Sequence, residues 1–172
     1  GDGKTDLIFI FQHWNGSGLT IRTKFSNGDG TYSNVTAALG DGSGVHEYPT
    51  LAGDINGDGK TDLVFIFNST NDGLVVRTKM SNGDGTFVEY QDILGDGNGV
   101  HEYPTLIGDV NGDGKSDLIF IFNSNNDGLT IRTKMSNGDG TYTEYQNILH
   151  DGDGVHTYPT LAGDVNGDGM TD

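Results

Sequence analysis

Asp54, Asn56, Asp58 and Asp62 place four oxygen-bearing side chains within residues 54–62, in the stretch GDINGDGKTDLVFIF, and the apolar run 63–67 follows at once. Charged carboxylates this close repel one another, so either a cation offsets them or the segment stays a solvated loop. The pattern D-x-N-x-D-G-x-x-D suits a hard cation. Ca2+ takes about six to eight oxygens, and a loop offering side chains at positions 1, 3 and 5 and a backbone carbonyl at position 7 can wrap it. Here those positions are Asp54, Asn56, Asp58 and the carbonyl of Lys60, with Asp62 at position 9. Gly59 stands at position 6, where the turn is sharpest. Position 12 holds Phe65 instead of a bidentate Glu, and the loop joins two strands, so it is not an EF-hand.

The stretch recurs. GDVNGDGKSDLIFIF (108–122) repeats the set as Asp109, Asn111, Asp113, the Lys115 carbonyl and Asp117. GDVNGDGMTD (163–172) repeats it as Asp164, Asn166, Asp168, the Met170 carbonyl and Asp172. GDGKTDLIFIF (1–11) keeps only Asp2 and Asp6, an incomplete set unless a preceding segment supplies the rest. Asp54, Asp109 and Asp164 stand 55 residues apart, and SNGDGT (26–31, 81–86, 136–141) and GVH (44–46, 99–101, 154–156) keep the same spacing. The chain is therefore about three copies of one unit. The units run over 1–56, without a first strand and half of its loop, then 57–111 and 112–166, with 167–172 opening a fourth. A cation bound in each loop would neutralise the carboxylates and fix a strand corner, coupling metal binding to folding.

The elements around the loop follow from residues 49–103. PTLAGDI (49–55) reads as a short strand before the loop. LVFIF (63–67) is β-branched and aromatic without alternation, as a strand covered on both faces would be. LVVRTKMS (74–81) sets Leu74, Val76, Thr78 and Met80 on one face and Val75, Arg77 and Lys79 on the other. NGDG signals a hairpin, and the polar TFVEYQDIL (86–94) makes an outermost fourth strand. No stretch has a helical period. The expected fold is all-β: four-stranded antiparallel meanders, apolar on both faces, packed face to face as β-propeller blades. A linear β-solenoid competes, but its coils are shorter than such a unit. About three blades are too few for a well-packed propeller, so another copy or a longer chain should complete it. Two copies would give a six-bladed ring, and a join that fails to close would give an open array. In this reading PTLAGDV (159–165) is a strand that pairs with LIFIF (7–11) of another copy.

Composition sets limits. The formal charge of −16 argues against nucleic acid and anionic membrane surfaces, which need a basic footprint. There is no cysteine, hence no disulfide framework or thiolate metal site. No apolar run is long enough to insert in a membrane, and no signal peptide is visible. The 29 glycines sit at fixed turn positions, so they indicate periodic turns and not disorder. The chain starts mid-motif without Met and reads as a mature piece or an excerpt.

GDVNGDGKSDLIFIF followed by SNGDGTY resembles the FG-GAP/VCBS repeat, the calcium-binding blade of integrin α-chain propellers, propeller lectins and many secreted bacterial proteins. The resemblance covers the whole chain. It implies propeller blades with calcium between the first two strands, held by Asp54, Asn56, Asp58, the Lys60 carbonyl and Asp62 and by the matching sets. It does not select one function, since adhesion modules and lectins share the fold.

Other groups recur. His46, His101 and His156 follow glycine-rich turns and precede Tyr48, Tyr103 and Tyr158. They read first as braces of the crossing between units; the functional alternative is a sugar pocket between blades. DGSG, DGNG and DGDG (41–44, 96–99, 151–154) read as plain turns before second cation sites. Arg22/Lys24, Arg77/Lys79 and Arg132/Lys134 read as partners of nearby carboxylates before an acidic-glycan site. Trp14, the only Trp, lies in the variant turn QHWNGSG and could stack on a sugar, although the other units have no counterpart. A His repeated in every unit does not make one asymmetric active site, and no Ser-His-Asp set, P-loop or zinc spacing is present, so the chain is not read as an enzyme. The expectation is a calcium-stabilised extracellular or cell-surface recognition module. Its ligand would be carbohydrate; the alternative is a self-assembling structural or adhesive array. Millimolar extracellular calcium would fill loops lacking the position-12 Glu.

Overall fold

The computed structural model describes residues 2–12, 18–38, 50–69, 71–94, 105–124, 128–149 and 160–172. These residues form eleven strands and no helix, arranged in three antiparallel sheets. The first holds β1 (Leu7–Gln12), β2 (Leu19–Ser26) and β3 (Tyr32–Ala38). The second holds β4 (Thr50–Gly53), β5 (Asp62–Ser69), β6 (Gly73–Ser81) and β7 (Phe87–Ile93) in that order. The third repeats it with β8 (Thr105–Gly108), β9 (Asp117–Ser124), β10 (Gly128–Ser136) and β11 (Tyr142–Ile148). Each sheet is a propeller-type blade, as the repeat predicts.

Turn chemistry sets the register. In each SNGDGT hairpin the Asn N–H donates to the Thr carbonyl: Asn27 to Thr31 and Asn82 to Thr86 at 3.0 Å, and Asn137 to Thr141 at 3.1 Å. The hairpin Asp carboxylate takes both the N–H and the hydroxyl of that Thr, as Asp84 does with Thr86 at 2.9 and 2.6 Å. The register that follows opposes Lys79 to Glu89 and Lys134 to Glu144. Between the first two strands, Gly53 faces Asp62 and Gly108 faces Asp117.

Packing is from blade to blade. One face of the second blade, Val64, Ile66, Leu74, Val76 and Met80, joins Ile55 against Leu118 and Phe120 of the third. Its other face, Leu63 and Phe65, meets Leu19 and Ile21 of the first. β5 is thus buried on both sides, which explains its lack of alternation. Burying a side chain as large as Phe65, 0% exposed, contributes roughly 1.5–3 kcal/mol. The fourth strands are outermost, with Tyr90 and Tyr145 exposed. On the open side of the first blade, Leu7 and Phe9 are 39% and 47% exposed, although their counterparts Leu118 and Phe120 are covered.

One strand expectation fails. Residues 160–165 form no strand. A strand needs a ladder partner, and among the described residues no β-strand pairs with this segment. Its corner survives all the same: Gly163 and Asp172 exchange backbone hydrogen bonds at 3.4 and 2.9 Å, the pair that Gly53 and Asp62 make inside a sheet.

The hairpin glycines isolate the packing between blades. Gly30 and Gly140 occupy the same hairpin place, with φ of 87° and 89°. A Cβ at Gly140 would run into the Tyr90 side chain of the preceding blade, whereas at Gly30 it meets nothing within 4 Å. Either alanine carries the left-handed backbone strain of about 1–2 kcal/mol. Gly140→Ala should cost a further ~1–3 kcal/mol from overpacking. Urea unfolding of the two variants measures the difference, and equal losses would contradict the blade contact.

Candidate metal centre

Each acidic loop ties its own side chains into a frame. Asp54 Oδ1 accepts the N–H groups of Gly57 and Asp58 at 2.8 and 3.0 Å, and its Oδ2 accepts Gly59 N–H at 2.8 Å. Asn56 Oδ1 accepts Asp58 N–H at 3.0 Å, and Asp58 Oδ1 accepts Lys60 N–H at 2.9 Å. Asp62 closes the loop: Oδ2 accepts Ile55 N–H at 2.9 Å and Oδ1 accepts Ser81 N–H at 2.8 Å. Gly57 and Gly59 take φ of 75° and 78°, where a side chain would strain the backbone.

The loop at 109–117 repeats every one of these bonds, from Gly112, Asp113 and Gly114 onto Asp109 to Val110 and Ser136 onto Asp117. The loop at 164–172 repeats the internal ones, although residues 160–165 that lead into it form no strand. The frame is therefore a local property of the sequence. Asp2 and Asp6 keep their share: Asp2 accepts Lys4 N–H at 3.0 Å and Asp6 accepts Ser26 N–H at 2.9 Å.

The electrostatics are unbalanced within each loop. Burial pushes the Asp62 carboxyl above its usual range, two backbone N–H groups oppose this, and the Asp58 and Asp54 charges push the same way as burial. Asp117 is raised for the same reasons. The Lys60 ammonium folds back to 2.5 Å from Asp58 and holds that carboxyl below the usual range. Lys115 meets Asp113 likewise. A single ammonium at a cluster of mutually repelling carboxylates stands where a cation is favoured.

The donors are all hard oxygens, which fit a cation of the calcium class. The residues that would hold it are Asp54, Asn56, Asp58, the Lys60 carbonyl and Asp62, then Asp109, Asn111, Asp113, the Lys115 carbonyl and Asp117, then Asp164, Asn166, Asp168, the Met170 carbonyl and Asp172. As they stand, no three Asp, Glu or His side chains close on one ion among the described residues.

Two roles in the loop escaped the sequence reading. Position 8 joins successive loops: Ser116 N–H donates to the Asp54 carbonyl, and Thr171 N–H to the Asp109 carbonyl, both at 2.6 Å. These side chains sit over glycine, since a Cβ on Gly53 would lie 2.7 Å from Ser116 Oγ and one on Gly108 2.5 Å from Thr171 Oγ1. Position 7 packs by its aliphatic stem. Lys115 Cγ would be 3.3 Å from a Cβ on Gly57, and Met170 Cγ 3.2 Å from one on Gly112, so Met replaces Lys here without loss of the contact. The signal was present in the recurrence of Gly before the first Asp and of Ser or Thr before the last.

The basic pairs are engaged. Arg77 and Lys79 face Glu89, and Arg132 and Lys134 face Glu144. In the first blade Asn34 takes the place of that Glu and accepts from Lys24 at 2.5 Å. The arginines also lie over Phe11, Phe67 and Phe122 at 5.2, 5.0 and 5.1 Å. His46, Tyr48, His101, Tyr103, His156, Tyr158 and Trp14 all lie outside the described residues, as do the DGSG, DGNG and DGDG turns.

Asp62→Ala removes the acceptor of two N–H groups where the loop meets β6. Each orphaned donor costs about 1–3 kcal/mol, so the metal-free chain should lose roughly 2–6 kcal/mol in chemical denaturation. Asp84→Ala, in an exposed hairpin, should lose less. The reverse order would contradict the frame.

The comparison with known families agrees with this geometry. The FG-GAP-like repeat model matches residues 1–65, 54–120 and 109–172. No curated protein and no solved structure matches the chain. Overlapping matches from the first residue to the last, over blades that repeat strand for strand, establish that the chain belongs to the FG-GAP-like repeat family.

Proposed function

We propose that the chain is a calcium-stabilised extracellular recognition module, non-catalytic, with carbohydrate as its ligand class. The observation that carries the cation is the loop frame, which three times gathers acidic side chains that repel one another at one strand corner. The frame fixes the acidic residues around an ammonium or around nothing charged, as at Met170. A divalent ion would relieve the repulsion at Asp62 and Asp117. Sites without a position-12 Glu are weak, which suits the millimolar calcium outside cells. Carbohydrate is the ligand class that the recurring His and Tyr residues, His46 with Tyr48 and their counterparts, would serve. Identical groups in every blade suit repeated binding sites better than one reaction centre.

A second reading is a structural or adhesive array. Exposed apolar residues favour it: Leu7, Phe9 and Tyr32 on one side of the blades and Leu161 and Val165, at 86% and 87%, on the other.

Calcium should raise the melting temperature above that in EDTA, and more than magnesium does. The double substitution Asp54→Asn with Asp109→Asn should remove most of that rise. Superimposable melts with and without calcium would contradict the cation. On a glycan array, saturable binding to one sugar class supports the carbohydrate reading, and silence in the presence of calcium leaves the array.

A further inference from the structure

The chain has 9 lysines and arginines against 25 aspartates and glutamates. Most of the basic residues lie beside a carboxylate. Lys4 meets Asp2, Lys60 meets Asp58 and Lys115 meets Asp113. Arg77 and Lys79 share Glu89, and Arg132 and Lys134 share Glu144. Arg22 and Lys24 are the two that have no carboxylate partner among the described residues. They stand on one face of β2, at the places that Arg77 and Lys79 hold in β6.

The cause lies in the strand opposite. Lys24 stands opposite Asn34, where Lys79 stands opposite Glu89 and Lys134 opposite Glu144. Arg22 stands opposite Thr36, where Arg77 and Arg132 stand opposite Gln91 and Gln146 and donate to them at 3.1 and 3.2 Å. Asn34 Oδ1 accepts from the Lys24 ammonium at 2.5 Å, but a neutral amide leaves that charge uncompensated. Phe11 carries the Arg22 guanidinium at 5.2 Å, as Phe67 carries Arg77 at 5.0 Å. The aromatic seat is therefore kept in the first blade while the acceptors are gone.

This place is at the rim of a blade and not beneath its neighbour. The matching face is covered in the second blade by the first, and in the third by the second. Even so, Glu89 and Glu144 keep 38% and 39% of their side-chain surface in solvent, and Arg77 and Arg132 keep 18% each. A blade packed on that face thus leaves the position of Arg22 and Asn34 within reach of a ligand.

A guanidinium fork, an ammonium and an amide on adjacent strands form a donor set for one anionic group. We propose that Arg22, Lys24 and Asn34 bind the acidic group of a sugar, a carboxylate or a sulfate ester. That group takes the part that the Glu89 carboxylate plays beside Arg77 and Lys79. This deepens the carbohydrate reading and rests on it. The formal charge of −16 repels densely charged polymers, so the ligand is an oligosaccharide with a single acidic group.

An array of neutral, carboxylated and sulfated oligosaccharides, probed in calcium, tests the proposal. Binding should be confined to acidic sugars and should weaken as salt rises. The carboxylated and sulfated spots tell the two anions apart. Asn34→Glu gives the first blade the residue that the other two hold. It should keep the melting temperature and weaken binding by about tenfold or more, the worth of one hydrogen bond to a charged group. Gln91→Glu adds the same charge in the second blade and should leave binding unchanged. Arg22→Gln should match the loss, and it decides the matter if Asn34→Glu misfolds. Binding of neutral sugars alone would overturn this site and leave the carbohydrate reading standing, whereas silence at every spot would overturn both. Acidic-sugar binding that Asn34→Glu and Arg22→Gln leave intact, or that Gln91→Glu weakens equally, would overturn this site alone.

Discussion

Every blade in this chain is apolar on both faces, and no blade covers itself. That constraint governs the rest. β5 is buried because the first and third blades flank it, and Leu7 and Phe9, which match Leu63 and Phe65 in β1, are exposed on the face turned away from the second blade. The same dependence is written into the small contacts. A glycine receives the neighbour's side chain at Gly53, Gly85, Gly108 and Gly140, and a Ser or Thr N–H reaches the carbonyl of the preceding loop. A repeat array of this kind draws its stability from interfaces as much as from units.

The acidic loops are the corners on which those interfaces turn. Their frame forms even at residues 164–172, which belong to no ladder among the described residues, so it is set by Asp, Asn and Gly at fixed spacing and not by the sheet. The sheet adds burial at position 9. Asp62 and Asp117 are held at 0% exposure by backbone N–H groups from two directions, next to carboxylates that repel them. The loop is thus well built mechanically and poorly balanced electrically, and Lys60 and Lys115 offset part of the imbalance with their own ammonium groups.

Much of this was legible in the sequence. Period 55, the hairpin signal NGDG and the unbroken apolar run 63–67 give strand order, hairpins and two-sided burial directly. The pairing of Arg77 and Lys79 with Glu89 follows from register alone. The failed strand at 160–165 shows the limit: TLAGD is a strand at 50–53 and not at 160–163, because a strand is a property of two partners and the sequence names only one. The seats of Ser116 and Thr171 were hidden for a related reason. They join residues that the repeat sets about a whole unit apart, and periodicity reports sameness between units, not contact between them.

Native-state hydrogen exchange would test the dependence of each blade on its neighbours most directly. The account predicts that amides of β5 and β6 exchange only through global unfolding. Those of β1 and residues 160–172 should exchange through smaller openings at much lower free energy. Equal protection in all three sheets, or loss of each sheet as an independent unit, would contradict it.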